Sequence, residues 1–363
     1  MIYLLHRQDN ARARAKSQVI LQNIAEPTLY LMQKQANQNI RGMKLLAFLK
    51  DWTLLIALAV GTIIYLLFSE ITFLQPIGNF VGPKLVSLMP VLIFVLLYFT
   101  FCKIDMHNFK PRKWHFALQA VRTTLSALIV LVIVNLTSPD VKIVWEGIFV
   151  IVICPTAAAA AVVTEKLGGS IATMTVYTII ANCFTIIIIP LFFPMVERAA
   201  NVSFIMAFLM VLDKVVRVLI LPLVLGLLTQ RYLPKVAAFI KSIPNAPYYI
   251  WSLNLSIIMG LSVQTILHSP LSGTVLFLLI FLPLIVCFIL FGLGKSVAGI
   301  WGYEARIEGG QALGQKNNIV GIWLLLHFLN PLCVIAPCAY VLWQNIINAV
   351  QLWYNDKHGY LKW

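Results

Sequence analysis

Long apolar runs alternate with short polar loops along this chain, and the loops are marked by proline and glycine. Ten of the runs approach the length of about 20 residues that a helix needs to cross the hydrocarbon core of a bilayer. They cover 52–72, 84–102, 114–136, 143–165, 171–193, 203–229, 246–267, 273–295, 304–329 and 333–354. The pattern therefore predicts an all-α integral membrane protein with ten transmembrane helices.

The composition agrees with a chain that folds in lipid. Hydrophobic residues make up 60% of the 363 residues, and charged residues only 11%, whereas a soluble domain is about a quarter charged. A net charge of +14 would indicate nucleic-acid binding in a soluble protein. Here most of the basic residues lie in loops between apolar runs, so we expect contact with membrane lipid and no nucleic-acid partner.

The basic loops also predict the orientation of the chain. Cytoplasmic loops carry an excess of Lys and Arg, and loops 103–113 and 231–241 and segment 295–306, all rich in these residues, fall on the same side. We therefore expect a multi-pass protein of the plasma (inner) membrane with both termini in the cytoplasm. Residues 1–42 are polar and basic and lack the apolar core of a signal peptide. They are interpreted as a cytoplasmic extension or an overlong gene model.

The ten predicted helices divide into two sets of five, at 43–199 and 200–355, followed by a cytoplasmic tail at 356–363. Because five is odd, the two sets have opposite orientations in the membrane, as in transporters built from inverted repeats. The two halves are too different in sequence to align by eye. However, their fourth members, the fourth and ninth spans, are both irregular.

The fourth span is interrupted by Cys154-Pro155-Thr156, which five alanines, Ala157 to Ala161, follow. Proline removes a backbone donor and clashes with the preceding turn, so the helix should kink or break at Pro155. The run of small side chains allows another backbone to approach closely. Taken alone, the same pattern would also fit an ordinary proline kink packed by alanines.

The ninth span contains a polar stretch that would be costly in lipid. Six polar or charged side chains occur within 308–318: Glu308, Gln311, Gln315, Lys316, Asn317 and Asn318. If this stretch were a cytoplasmic loop, only about 11 residues would remain to cross the membrane, which is too few. The span must therefore begin within the polar stretch, where protein or a water-filled cavity supplies the partners. The pattern predicts a functional site.

At these two segments the chain resembles the bile acid:sodium symporter family, as a divergent member. The fourth-helix pattern of that family, close to Cys-Pro-Gly-Gly-Thr-Ala-Ser-Asn-Val-x-Thr, aligns with 154–164. Its ninth-helix pattern, close to Glu-x-Gly-x-Gln-Asn-Ser-Gly ahead of His-Phe, aligns with 311–318 and His327-Phe328. The tenth helix, with Pro337 and Trp343-Gln344-Asn345, also fits, and the resemblance covers about 43–355. It implies inverted five-helix repeats in which broken helices 4 and 9 cross at mid-membrane.

The departures from the family pattern concern its sodium sites. The Ser-Asn pair that holds one sodium in the family aligns with Ala160 and Ala161, whose methyl groups cannot coordinate a hard cation. The glutamate that bridges both family sodium sites aligns with Gln311, although Gln315 and Thr178 are retained. We therefore regard these five residues as equivalents of the cation sites that have lost sodium binding. No metal or other cofactor is expected.

Lys316 aligns with an asparagine that contacts substrate in the family, and it brings a positive charge to the crossing. One hypothesis is that its ammonium takes the place of sodium and, by cycling between charged and neutral forms, couples transport to protons. The alternative is that it stays charged and binds an anionic substrate. Arg122 either binds a carboxylate with its two-pronged guanidinium or has a structural role. The candidate substrate-binding residues are Thr156, Lys316, Asn317, Asn318 and Arg122.

These features predict a secondary active transporter that moves an organic anion, a bile acid or a small carboxylate, by alternating access. An arsenite-permease-like transporter is an alternative, because such proteins carry an essential cysteine in helix 4 and Cys154 stands there. An intramembrane enzyme is the alternative from another class, although HExxH, GxSxG and paired intramembrane aspartates do not occur. The sequence does not fix the substrate, the coupling ion, the direction of transport or the oligomeric state.

Overall fold

The computed structural model describes residues 53–103, 110–157, 159–197, 202–243, 246–359 and 361. The predicted extension, residues 1–42, and the predicted boundary between the halves at 199/200 lie outside these residues. Contacts divide the chain into two units, Met1–Ile56 and Ala57–Trp363. Only the first residues of one helix represent the first unit, and all the contacts given below are within the second.

Within the described residues, the regular secondary structure is helical. The elements up to residue 197 are α1 (Thr53–Glu70), α2 (Gln75–Phe101), α3 (Lys113–Val134), α4 (Pro139–Ile153), α5 (Ala160–Lys166) and α6 (Ile171–Val196). Those from residue 202 onward are α7 (Phe204–Val215), a π-helix (Val216–Ile220), α8 (Leu221–Tyr232), α9 (Pro234–Lys241), α10 (Ala246–Leu267), α11 (Gly273–Ala298), α12 (Tyr303–Gly314), α13 (Asn318–Phe328) and α14 (Ile335–His358). Short 3₁₀ turns at Gly299–Trp301 and Pro331–Val334 precede α12 and α14.

Six helical stretches of the described chain are long and apolar enough to cross a membrane. They are Gln75–Phe101, Lys113–Val134, Ile171–Val196, Tyr249–Leu267, Gly273–Trp301 and Pro331–His358. Helix α2 begins well before the predicted start at 84, because Pro76 lies in its first turn, where the missing proline N–H has no helical partner to lose. The predicted fourth and ninth spans are each divided into two shorter helices, α4 with α5 and α12 with α13.

Burial separates inner helices from outer ones. In the most apolar stretch of α6 and of Pro331–His358, 67% of the residues are buried, compared with 22% for α2 and for Tyr249–Leu267. Apolar side chains on outer helices, such as Phe80 and Phe277, are exposed, as expected for surfaces that lipid covers. The main apolar cluster joins α4, α6, α13 and α14, so the divided helices lie in the interior.

Helices α11 and α12 pack with their backbones almost in contact. A Cβ atom added at Gly294 would lie 2.1 Å from the carbonyl oxygen of Gly309, and one added at Gly309 would lie 2.2 Å from Cβ of Ala298. Small residues at such interfaces allow the backbones to approach closely. The resulting van der Waals packing stabilises helix association in a membrane, where the hydrophobic effect does not. This contact fixes the first half of the divided ninth helix against α11.

Candidate functional site at the helix crossing

Both interruptions occur where the sequence places them. Helix α4 ends at Ile153 and α5 begins at Ala160, so the first break contains Pro155. Helix α12 ends at Gly314 and α13 begins at Asn318, and this second break contains no proline. Something other than proline must therefore interrupt the ninth helix.

That cause is mutual hydrogen bonding between the two breaks. Thr156 and Lys316 form an isolated antiparallel β-bridge. The N–H of Ala157 donates to the carbonyl oxygen of Gln315 at 3.0 Å, and the N–H of Asn317 donates to that of Pro155 at 2.8 Å. Non-helical backbone at membrane depth needs such protein partners. The exchange has a local two-fold pattern, in which Pro155 corresponds to Gln315, Thr156 to Lys316 and Ala157 to Asn317.

Side chains from the breaks cap the carbonyl ends of the half-helices. The hydroxyl of Thr156 donates to the carbonyl oxygen of Ala312 at 2.5 Å, and the hydroxyl of Tyr340 donates to that of Gly314 at 2.7 Å. The corresponding end of α4 instead accepts from the Lys316 ammonium, whose Nζ lies 3.0 Å from Val152 O and 3.2 Å from Cys154 O. Carbonyl oxygens at a helix C-terminus carry partial negative charge. The Lys316 side chain therefore lies at the end of α4 where the carbonyl oxygens carry partial negative charge.

Gln344 of α14 holds the backbone of Lys316 on both sides. Its Oε1 accepts from the Lys316 N–H at 2.9 Å, and its Nε2 lies 3.5 Å from the Lys316 carbonyl oxygen. The Gln344 side chain thus contacts both the N–H and the carbonyl oxygen of Lys316, as the backbone of a neighbouring β-strand would. Gln344 is one of the residues through which α14 fixes the position of the lysine.

Arg122 of α3 joins the same helix end to α6. Its NH1 donates to Thr185 Oγ1 at 3.1 Å and lies 3.5 Å from Cys154 O, and its NH2 donates to Ala181 O at 3.1 Å. The guanidinium is 1% exposed. In this conformation its fork binds protein acceptors, which agrees with the structural interpretation of Arg122.

The crossing therefore brings two basic side chains together in the protein interior. Lys316 and Arg122 are both buried and share the carbonyl oxygen of Cys154. The ion pairs found among the described residues lie elsewhere: they are Lys142–Glu146, Lys142–Glu197 and Arg217–Asp213. No described carboxylate thus forms an ion pair with either cation, and isolated buried charge is unfavourable.

The remaining predicted substrate-binding residues also lie at the crossing. Thr156 and Asn317 belong to the bridged backbone segments, and Asn318 is the first residue of α13. Asn318 is 1% exposed, and neither polar atom of its side chain has a partner among the described residues. The structure therefore brings Thr156, Lys316, Asn317 and Asn318 together, with Arg122 on the far side of the Cys154 carbonyl.

The structure also describes the surroundings of the five residues predicted to be equivalent to the family's cation sites. Ala160 and Ala161 belong to an apolar cluster that includes Met174, Tyr177 and Ala312, so methyl groups fill this place. The hydroxyl of Thr178 donates to Met174 O at 2.9 Å. The side chain of Gln311 donates to Gln351 Oε1 at 3.0 Å, whereas Oε1 of Gln315 is buried without a partner among the described residues. Across the described chain, no group of three or more His, Cys, Asp or Glu residues could hold a metal ion.

Two polar residues of α14, Asn348 and Gln351, are not among the site residues predicted from the sequence. With Gln344 they are spaced i, i+4 and i+7, so all three share one face of the helix. All three are buried. A recurring amide on one face of an apolar span is a signal that the sequence already contained.

Close packing at the crossing leads to a first prediction. A Cβ atom added at Gly321 would lie 2.1 Å from Cys154 Sγ and 2.9 Å from Val150 Cγ1. We expect Gly321→Ala to lower stability by about 1–3 kcal/mol, the usual cost of overpacking, measured by thermal unfolding in detergent. The control is Gly292→Ala in α11, which meets open space and should be neutral or stabilising. Equal stability of the two variants would contradict the tight contact.

Two divided helices that meet in the interior of a membrane protein are typical of secondary transporters. Comparison with family models identifies which one: the chain belongs to the SBF-like CPA transporter family, whose model matches residues 103–308. This match confirms the resemblance to bile acid:sodium symporters. It includes the first break and ends before the second. A search of curated proteins finds no significant match.

Proposed function

We propose that this protein is a sodium-independent transporter of an organic anion, a bile acid or a small carboxylate, that works by alternating access around the crossing. In this proposal Lys316 supplies the positive charge that sodium provides in relatives. The proposal rests chiefly on the two buried cations, Lys316 and Arg122, that share one carbonyl oxygen and form no ion pair with a described carboxylate.

The architecture that we propose is two inverted repeats of five helices in the plasma membrane, with both termini in the cytoplasm. The described helices form ten successive tracks when α4–α5, α7–α8 and α12–α13 are each counted as one and the short α9 is left out. Two observations support the repeat. The bonds between the breaks are reciprocal, and the fifth and tenth tracks, α6 and α14, are equally buried.

An anionic substrate follows from the charge balance. A buried cation is stable only when it is paired or hydrogen-bonded, and an arriving anion would supply the missing charge. Asn318 adds an amide without a partner at the first turn of α13, the end of a helix that favours negative charge. The charge and the free donors both favour a carboxylate or a similar anion.

Sodium independence follows from the surroundings of the former cation ligands. Methyl groups of Ala160 and Ala161 fill one position, and the Lys316 ammonium already occupies the carbonyl end of α4. A sodium ion needs several oxygen ligands, and a second cation at this end would be repelled. Proton coupling through Lys316 is the remaining route by which this site could be driven by an ion gradient.

The test is uptake by purified protein in proteoliposomes, with a panel of radiolabelled bile acids and short-chain carboxylates. We expect uptake of at least one anion in sodium-free buffer, with no increase on adding sodium. If Lys316 cycles between charged and neutral forms, acidifying the outside should increase uptake. If it stays charged, uptake should not depend on the pH gradient. Strict dependence on sodium would contradict the proposal in both forms.

A further inference from the structure

The polar face of α14 continues beyond the residue that holds Lys316. Gln344 contacts the Lys316 backbone, and two turns further on Gln351 accepts from Gln311 of α12. Asn348 lies between them on the same face, at most 4% exposed. These amides therefore form a ladder, Gln344, Asn348 and Gln351 with Gln311 opposite, that runs from the crossing along the space between α12 and α14.

The ladder has more hydrogen-bonding groups than protein partners. Both Nδ2 and Oδ1 of Asn348 and Oε1 of Gln311 are buried without a partner among the described residues. Leaving a buried donor or acceptor unsatisfied costs about 1–3 kcal/mol, and buried water commonly removes this cost. Long side chains rather than close backbone contact connect α12 with α14, since these helices are not among the closely packed pairs. The side chains of Gln311 and Gln351 join the two helices, and α11 packs against both of them.

The ladder ends at a less buried part of α14. One turn beyond Gln351, Asn355 is half-buried, and its Nδ2 donates to the carbonyl oxygen of Lys166 at 3.2 Å. Lys166 closes α5, at the end of the molecule that the basic loops predict to be cytoplasmic. The amide positions thus lead from Lys316 toward one membrane face.

We propose that this ladder holds a chain of water molecules through which the Lys316 amine exchanges protons with the side where Asn355 lies. The inference deepens the proposed function, because it supplies the route that proton coupling through Lys316 requires. Amide side chains do not titrate, but they orient water through donors and acceptors on both sides of the path. Asn348, with four hydrogen-bonding positions free, is the central residue of the route.

Other charged and titratable groups surround the two ends of the path. Arg122 and Cys154 lie beside Lys316, and the Tyr340 hydroxyl is bound to Gly314 O. Near Gln311, Lys295 of α11 packs against Gly310, and Glu308 accepts from the N–H of Ser170 at 3.0 Å. Between these ends the face of α14 carries Ile347 and Asn348 and no titratable side chain, so a proton transferred there must travel on water.

An introduced carboxyl group distinguishes a hydrated ladder from amides that merely join two helices. In a dry interface Asn348→Asp would be destabilising and its proton would exchange slowly, whereas water would both stabilise the carboxyl group and exchange its proton. Infrared difference spectroscopy against the wild type isolates the C=O band of the new acid. We expect this band to shift at once on mixing with D2O and to disappear as the pH is raised.

The control is Ile189→Asp in α6, a residue that is 0% exposed and belongs to the apolar cluster. It should fail to fold or show a band that exchanges slowly. A second variant, Gln351→Glu, should exchange like Asn348→Asp. If Asn348→Asp does not fold, or exchanges as slowly as the control, the inference is wrong.

Measuring both proton exchange and uptake distinguishes failure of this inference from failure of the proposed function. Rapid exchange at Asn348→Asp together with uptake that ignores the pH gradient would support the hydrated path and contradict proton coupling. When uptake does follow the pH gradient, Asn348→Leu should weaken that dependence, and Asn254→Leu should not. Asn254 is a buried asparagine of α10 whose Nδ2 donates within its own helix, to Ile250 O.

Discussion

Replacing Lys316 by methionine should abolish transport and leave the protein at least as stable as the wild type. The ammonium is 2% exposed and is held by two carbonyl oxygens. Removing one charge from a buried charged contact with a ligand typically costs about 2–5 kcal/mol of binding, which is about 30-fold or more at 1.4 kcal/mol per factor of ten. The apolar side chain, however, avoids the cost of burying a charge, which is several kcal/mol per ion, and this gain offsets the cost of about 1–3 kcal/mol for a carbonyl oxygen that loses its bond.

Loss of uptake with retained stability would identify Lys316 as a functional residue, because replacing a structural lysine would reduce both uptake and stability. Uptake in proteoliposomes and thermal unfolding in detergent measure the two quantities. The control is Lys295→Met, another buried lysine, whose chain packs against Gly310 and which lies away from the two breaks. Lys316→Met that retains uptake, or that unfolds well below the wild type, would contradict the role proposed for the ammonium.

The sequence predicts the two broken helices for different reasons. The structure shows why the position of the first break could be predicted more precisely than that of the second. Proline chemistry is local, so Pro155 indicates the position of the first break directly. In the ninth span, polarity predicts an irregular segment but not its bounds. Those bounds are set by Gln344 and by the bonds to Pro155 and Ala157, residues far away in the chain. No local pattern contains this information.

Arg122 illustrates the same limit for a side chain. From the sequence, a buried arginine in the third span fits substrate binding and a structural role equally well. Its acceptors, Cys154 O, Ala181 O and Thr185 Oγ1, belong to the end of α4 and to α6. Only the assembled fold shows that the guanidinium joins these elements.

The two alanines at the predicted cation-site positions show what the structure adds to a prediction made from sequence. Comparison with the family pattern indicates that Ala160 and Ala161 lack the oxygens of a cation site. The structure adds that their methyl groups pack with Met174 and Ala312. Water or an ion at this position would have to displace a packed apolar cluster. By contrast, the polar face of α14 could have been predicted from the i, i+4, i+7 spacing of its amides. Helical spacing of polar residues within an apolar span indicates a polar face without reference to any family.

Arg122→Lys should lower stability by about 2–4 kcal/mol and reduce uptake, although the charge is kept. The guanidinium reaches acceptors on two elements at once, whereas an ammonium is a compact charge without a planar fork. At least one of the bonds to Cys154 O and Ala181 O would be lost, and a hydrogen bond from a charged group contributes about 1.5–3 kcal/mol. The end of α4 would then be held by Lys316 alone.

The control is Arg217→Lys, whose partner Asp213 lies one helical turn away at an exposed position. Such a pair contributes about 0–1 kcal/mol, so this variant should match the wild type in thermal unfolding and uptake. Substrate binding and a structural role for Arg122 predict different effects of Arg122→Lys on apparent affinity and on the unfolding temperature. If the arginine binds the substrate carboxylate directly, Arg122→Lys will weaken apparent affinity while the unfolding temperature stays unchanged. If it fixes the break, as its three acceptors indicate, the unfolding temperature falls, because the carbonyl end that positions Lys316 has lost its tie to α6.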